Sequence, residues 1–350
     1  MNSPAILVTG GAGYVGAHTC KALARAGYTP IVFDNLSTGH KSFVRWGPFV
    51  QGDIRDHTAV LDTIRAWNAQ AVLHFAASAC VGESVTDPKK YYENNVTGSL
   101  SLLRAMLDAD CRKLVFSSTC AIYGEPRMLP INETAPPNPV NPYGASKFMV
   151  ERILADYALA YPLQSIALRY FNASGADPEG EVGELRDPET HLIPRAMMAI
   201  QGHIADFAVF GTDYDTPDGT AIRDYIHVSD LADAHVLALQ RLLAERPGGA
   251  FNLGTGHGYS VKQVLDTIAA ETGVPLKAAP GARRQGDPPT LVADATFAQA
   301  ELGFTPNLSS LTSIVKTAWA WHRRAHPKHG LPQYSLLELS LKQYHERRSG

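Results

Sequence analysis

Cysteine is scarce in this chain: four residues in 350, and Cys20, Cys80, Cys111 and Cys120 form no Cys-x-x-Cys pair. That spacing argues against a zinc site or a disulfide framework, so no metal is expected and a reducing, cytoplasmic setting is the simplest expectation. Long apolar runs are missing as well. No stretch approaches the ~20 residues a membrane helix needs, and no charged segment leads into an extended apolar one near Met1. Positive charge is not in excess: 31 Lys and Arg stand against 34 Asp and Glu, a formal net charge of −3. Nucleic acid and anionic membrane therefore have no general electrostatic case as partners. Internal repeats and low-complexity tracts are absent too. What remains, 45% hydrophobic and 19% charged residues, describes a globular chain long enough for a large core and two lobes.

Glycine, by contrast, is placed with a pattern. The apolar run Ile6-Leu-Val-Thr leads directly into Gly10-Gly-Ala-Gly13-Tyr-Val-Gly16, which reads as a strand, a glycine-spaced turn and a helix start. Gly10 permits the tight turn, Gly13 lets the backbone approach a pyrophosphate, and Gly16 lets the helix lie close on the sheet. The first amides of that helix then face the phosphates, so the pattern predicts a dinucleotide site. A helix over residues 14–26 stops at Gly27, and a second apolar strand, Pro30-Ile-Val-Phe-Asp34, follows. Its terminal carboxylate falls about 20 residues after the motif, where a ribose hydroxyl needs an acceptor. Asp34 would repel a 2′-phosphate, which favours NAD over NADP. The plainer alternative for Asp34 is a turn or helix-capping carboxylate before Asn35.

Apolar runs at residues 5–9, 30–34, 49–51, 71–75, 113–117 and 165–171 alternate with helical stretches. This predicts an α/β chain with a Rossmann-type doubly wound parallel sheet, strand order 3-2-1-4-5-6, and the cofactor across the carboxyl ends of the strands. After Phe171 the text loosens into Gly, Asp, Pro and Glu, and a smaller C-terminal mixed α/β lobe is expected beside the cofactor mouth. Helical spacing is present over residues 227–243 and 260–270, with Ser260 as an N-cap, and a strand returns to the first sheet at 251–253. The expected division is a nucleotide-binding domain over 1–172 with returning segments near 225–255, a substrate lobe over 173–330, and a solvated helical tail over 331–350.

In Asn141-Pro-Tyr143-Gly-Ala-Ser-Lys147 a tyrosine and a lysine lie one helical turn apart on one face. Such pairs also occur on plain surface helices. Beside a phenol, however, a lysine charge favours the phenolate, and bound oxidised nicotinamide adds to that shift. The pair then makes a general base that takes a proton from a hydroxyl while hydride leaves to the nicotinamide. The strand Lys113-Leu-Val-Phe-Ser117 ends in Ser118-Thr119 at the carboxyl edge of the sheet, where Thr119 would bond the hydroxyl being deprotonated.

At this point the residues resemble the nucleotide-sugar epimerases of the extended short-chain dehydrogenase/reductase family, over nearly the whole chain. The carrying segments include Gly52-Asp53-Ile54-Arg55, His74-Phe75-Ala76-Ala77, Asn94-Asn95-Val, Phe116-Ser-Ser-Thr119, Tyr143-Gly-x-Ser-Lys147, Arg169-Tyr170-Phe171-Asn172, Arg223-Asp-Tyr-Ile-His227 and Arg283-Arg284-Gln-Gly-Asp287. The resemblance implies a homodimer, formed through helices near residues 92–107 and 144–161, that uses NAD to invert C4 of a UDP-sugar, most closely interconverting UDP-glucose and UDP-galactose. It implies Tyr143 as base with Lys147 and Thr119 in support. Cofactor contacts are implied for Gly10, Gly13, Tyr14, Val15, Gly16, Asp34, Asn35, Asp53, Ile54, Phe75, Ala76, Ala77, Asn95, Ser117, Tyr143, Lys147 and Tyr170. Substrate contacts are implied for Thr119, Tyr143, Asn172, His191, Leu192, Arg223, Arg284, Asp287 and Leu291. Two arginines facing a diphosphate suit the forked donors of guanidinium.

Alternatives are weighed by chemistry. Sugar dehydratases of this fold need an acid just after the threonine, and Cys120-Ala121 stands there instead. Net dehydrogenation would demand cofactor exchange at every turnover. A non-catalytic NAD sensor has no need of Thr119, Tyr143 and Lys147 together. Within the epimerases the chain departs from the best-known hexose enzymes at Ala79, where lysine is frequent, and at His191, where asparagine is common. Leu291 falls at the position associated with acceptance of N-acetylated sugars; being intermediate in size, it favours non-acetylated ones. A UDP-pentose such as UDP-xylose or UDP-arabinose remains an alternative substrate, since it lacks only one small group.

Overall fold

The structure, a computed structural model, describes residues 3–284 and 287–326; the expected helical tail over 331–350 lies outside the described residues. Along the chain it runs β1 (Ala5–Thr9), α1 (Tyr14–Arg25), β2 (Thr29–Asp34), β3 (Phe49–Gln51), α2 (His57–Trp67), β4 (Ala71–His74), α3 (Val81–Thr86), α4 (Pro88–Tyr91), α5 (Gly98–Asp108) and β5 (Lys113–Ser117). Then come α6 (Pro142–Ala160), β6 (Gln164–Tyr170), β7 (Asn172–Ser174), α7 (Leu192–Gln201), β8 (Ala208–Phe210), β9 (Ile222–His227), α8 (Val228–Leu243) and β10 (Gly249–Leu253). The last elements are β11 (Gly258–Ser260), α9 (Val261–Thr272), β12 (Ala279–Gly281), β13 (Thr290–Leu291), α10 (Thr296–Leu302) and α11 (Leu311–Ala325).

The main sheet is parallel throughout, ordered β3-β2-β1-β4-β5-β6-β10. The expected order is present, extended by the returning strand at Gly249–Leu253. Its strands are apolar on both faces because both faces are covered. Ile6 and Val8 of β1 join the core under α1 and α8, while Leu7 between them joins the core under α2, α5 and α6.

Caps fix where helices begin. Ser260 starts α9 with a reciprocal capping box to Gln263, and Gly27 beyond α1 takes φ +86°, as a stop signal should. The smaller lobe contributes the mixed strands β11, β9, β13 and β7, covered by α7, α9 and α11 around Tyr225, Val264 and Ile314. One helix expectation changes. Residues 92–107 do not form a single regular helix, because a π-helical turn over Tyr92–Thr97 separates α4 from α5. Asn95 sits on that widened turn, with its carbonyl accepting from the Ser99 hydroxyl at 2.5 Å.

Candidate functional site

β1 ends at Thr9, and Gly10 turns with φ +74°, where a Cβ would also lie 2.6 Å from the nitrogen of Ala76. Gly16 is fixed by close approach, since its Cβ would stand 2.2 Å from the Gly10 carbonyl oxygen. Gly13 is different. Among the described residues its Cβ would meet only the Gly10 oxygen, at 3.3 Å, so the demand for glycine there comes from the open side of the turn. Gly13 caps α1 without a side chain, and no acidic residue occupies the helix's first turn. The amides of Tyr14, Val15 and Gly16 therefore have no anionic side chain before them, and the cradle suits a dinucleotide's pyrophosphate.

Asp34 is buried at the end of β2 and accepts from the amides of Ala12 at 3.0 Å and Leu36 at 2.8 Å. It thus ties the glycine turn to β2, and each carboxylate oxygen retains a lone pair for a ribose hydroxyl. Burial pushes its pKa up against those two bonds. Asn35 donates to Asp53 at 3.1 Å, while the Arg55 guanidinium grips Asp53 at 2.9 and 2.7 Å and holds its carboxyl well below the usual range. Ile54 packs against α5 so closely that a Cβ on Gly98 would lie 2.6 Å from it.

The facing wall follows β4. The amides of Phe75 and Ala76 share the Thr9 carbonyl at 2.9 and 3.1 Å, and Ala77 leads to Ser78. Asn95 holds both the amide and the carbonyl of Ser78, at 2.8 and 3.0 Å, and gives its other amide proton to Ser146 at 3.0 Å. Both amide protons of Asn95 are used, so the structure gives it a clamping role between this loop and α6.

Asn141 caps α6 by accepting from the Gly144 amide at 2.8 Å, with Pro142 at the first helical position. Tyr143 and Lys147 follow on one buried face, and the Thr119 side chain lowers the Tyr143 phenol. Thr119 also accepts from the Ala121 amide at 3.1 Å, which orients its side chain at the carboxyl end of β5. Burial pushes the Tyr143 phenol up, Tyr170 adds to that, and Thr119 opposes it.

Lys147 lies one turn along α6 from Tyr143. Its ammonium donates to the Ser117 carbonyl at 2.7 Å and lies 4.9 Å over the Phe116 ring, and burial brings its pKa down to about 7. The charge of Arg186, a residue that spacing did not single out, also lowers the Tyr143 phenol, as the smallest of the influences on it. Tyr170 completes the wall, its hydroxyl 2.7 Å from that of Ser117 and its ring edge-on to His235, which lies tilted against Phe75 with ring centroids 4.7 Å apart.

On the substrate side, Asn172 donates to the Asp224 carbonyl at 2.9 Å, and Arg223 of β9 stands in register with Leu291 of β13. Arg223 pairs with the Asp287 carboxylate and also donates to the Ile222 carbonyl at 2.7 Å. The Asp287 amide reaches the Arg284 carbonyl at 3.3 Å, and the Arg284 guanidinium lies 4.6 Å over Phe210. Both arginines are therefore carried by one pair of neighbouring segments, although Gln285 and Gly286 between Arg284 and Asp287 lie outside the described residues. Leu291 packs on the cluster holding Cys120, Tyr123 and Phe171. His191 caps α7 from outside, its Nδ1 2.6 Å from Glu184, and Leu192 opens that helix against the lobe's core.

Two groups escaped the sequence reading. A buried Arg169–Glu151 pair, 2.6 Å apart, bonds Ser118 and Tyr123 and braces β5, β6 and α6 beneath the site. Arg186, between Glu184 and Glu189, lies in aperiodic text whose only signal was one positive charge among acids.

A family model described as the NAD dependent epimerase/dehydratase family matches residues 6–254. The chain is 50% identical to a UDP-glucose 4-epimerase of Rhizobium leguminosarum bv. trifolii over 325 residues, covering 93% of this chain and 99% of that one. It superposes with a TM-score of 0.89 on the UDP-glucose 4-epimerase from Brucella ovis in complex with NAD, at 55% identity, covering 91% of this chain and 98% of that one. The TM-score is also 0.89 for the enzyme of the same name from Stenotrophomonas maltophila with bound NAD and formylated UDP-arabinopyranose, at 40% identity and 92% and 98% coverage. With its uncapped glycine cradle and its Thr119–Tyr143 pair, this chain belongs to the NAD dependent epimerase/dehydratase family.

Proposed function

We propose that the chain inverts C4 of a UDP-sugar with a retained NAD, interconverting UDP-glucose and UDP-galactose. The observation that carries this reading is the buried set of Thr119, Tyr143 and Lys147 at the carboxyl edge of a sheet whose first turn is an uncapped anion cradle. When bound, NAD supplies a hydride acceptor and donor at C4. Tyr143, as phenolate, takes the proton of the 4-hydroxyl and returns it on the other face; Thr119 aligns that hydroxyl, and Lys147 holds the end of β5 in place through Ser117. Arg223 and Arg284 clamp the diphosphate while the 4-keto sugar turns over between them and Tyr143. Asn172, His191, Leu192 and Asp287 line the nucleotide side, and residues 1–172 and 173–330 divide cofactor from substrate.

The intermediate size of Leu291 supports non-acetylated sugars, and the names of the relatives support a hexose. Apolar side chains exposed on α5 and α6, including Leu100 at 38%, Met149 at 44% and Leu159 at 89%, support pairing of two copies through these helices. The deciding experiment incubates the purified protein separately with UDP-galactose, UDP-xylose and UDP-N-acetylglucosamine without added NAD and identifies the sugars. Conversion of UDP-galactose fits the proposal. Turnover that requires added NAD and accumulates NADH replaces it with a dehydrogenase.

A further inference from the structure

We propose that Glu151 and Arg169 are positioning residues of the reaction: at the centre of a buried polar chain that runs from Ser118 to the segment beside β13, they hold Thr119 and Lys147 in register with the substrate lobe. Their role rests on the reading of Thr119, Tyr143 and Lys147 as the reacting set.

Glu151 stands on the face of α6 that Tyr143 and Lys147 share, one turn beyond Lys147 and two beyond Tyr143. Its side chain is 9% exposed and that of Arg169, on β6, 10%. The guanidinium grips both carboxylate oxygens, with Nε 3.1 Å from each and Nη2 2.6 Å from one. The Ser118 hydroxyl donates to the other oxygen. Ser118 is fully buried, and its amide donates to the Leu168 carbonyl at 2.9 Å, so α6 and β6 fix this residue from two sides. Its neighbours in the chain are Ser117, whose carbonyl takes the Lys147 ammonium at 2.7 Å, and Thr119. Glu151 also supplies the charge that opposes the lowering of Lys147 by burial.

The bonds continue toward the substrate side. The free arm of Arg169, Nη1, donates to the Tyr123 hydroxyl at 2.9 Å, which donates in turn to Asn252 Oδ1 at 2.7 Å. Asn252 of β10 gives its side-chain amide to the Ile131 carbonyl at 2.9 Å and its backbone amide to the Glu133 carboxylate at 2.7 Å. Ile131 bridges Ala293, its amide donating to the Val292 carbonyl at 2.8 Å and its carbonyl accepting from the Asp294 amide at 2.7 Å. Val292 directly follows Leu291, the β13 residue in register with Arg223.

Stability alone does not call for such a pair, because two apolar side chains of similar volume are often as stable as a buried ion pair. What they cannot do is fix direction. A forked guanidinium and a carboxylate bond along set lines, and here those lines end on the residue between Ser117 and Thr119 and on the segment beside β13. A buried network with its donors and acceptors matched makes rigid what it joins.

The test uses the purified holoprotein with UDP-galactose, kcat being taken per bound NAD. Glu151→Met combined with Arg169→Met removes both charges and leaves neither buried alone. It should lower kcat by about 10²-fold with KM and bound NAD unchanged, the loss that a displacement of about 1 Å brings. Ser118→Ala deletes a single oxygen; it should lower kcat about tenfold and add nothing further when built into the paired variant. Parent-like kcat in Ser118→Ala overturns the proposal, whether or not the paired variant folds. So does a loss in the paired variant that Ser118→Ala deepens independently, or one carried by KM. Should the parent fail to convert UDP-galactose, the functional reading fails instead, and hydrogen exchange over residues 113–119 judges the brace: faster exchange in Ser118→Ala than in the parent supports it, and parent-like exchange overturns it.

Discussion

Tyr143 is the residue proposed to carry the chemistry, and its surroundings say what it lacks. Burial favours the neutral phenol, so the phenolate needs positive charge in the loaded site. Tyr143→Phe removes only the hydroxyl and should lower kcat by the ~10²–10⁴ typical of a lost general base, with the bound NAD content of the purified protein unchanged. Steady-state kinetics and extraction of the cofactor check both halves. Thr119, Tyr143 and Lys147 were legible in the sequence because their placement is local: a strand end, and one turn at the start of a helix. The Arg169–Glu151 pair that braces the site was not legible, since its members meet only in the fold. Nor was Arg186, which lies in a long aperiodic loop, and the bond that directs the Lys147 ammonium to the Ser117 carbonyl depends on a strand 30 residues earlier in the chain.

Among the elements, the turn from β1 to α1 separates two kinds of glycine. Gly16 is required by the protein, since its Cβ would meet the Gly10 carbonyl at 2.2 Å; Gly16→Val should cost about 1–3 kcal/mol and empty the protein of NAD. Gly13 is required by the ligand. Gly13→Val should leave the melting temperature of the NAD-free protein near that of the parent and still abolish retention of NAD. Calorimetry on cofactor-stripped protein, with cofactor extraction alongside, distinguishes the pair. The helix start at Tyr14, the Ser260 cap and the strand positions follow from periodicity and capping chemistry, which act within a few residues. The π-helical turn over Tyr92–Thr97 does not, because Asn95 there is fixed by Ser78 and Ser146, which lie far along the chain from one another.

At the scale of the whole molecule, the alternation of strands and helices made the sheet order readable, and chain-crossing rules left few other arrangements. The smaller lobe was readable only in outline, since short mixed strands such as β8 and β12 carry little pattern of their own. Packing has a further consequence for stability. His18, His227, His235 and His322 are held neutral by burial with pKa values of about 4, and His74 at about 3, against an ordinary 6.5. Unfolding frees them to take up protons between these limits. Their contribution is therefore complete above about pH 6.5 and is lost progressively as pH falls toward 4. The melting temperature should drop steadily from pH 7 to pH 5, and a flat profile would show that these histidines charge without cost. The central claim, a hydride lent and returned within one turnover, is tested most directly with UDP-galactose deuterated at C4. The account predicts UDP-glucose with the deuterium still at C4, in unlabelled water and without added NAD. Product that has lost the label to solvent would contradict it.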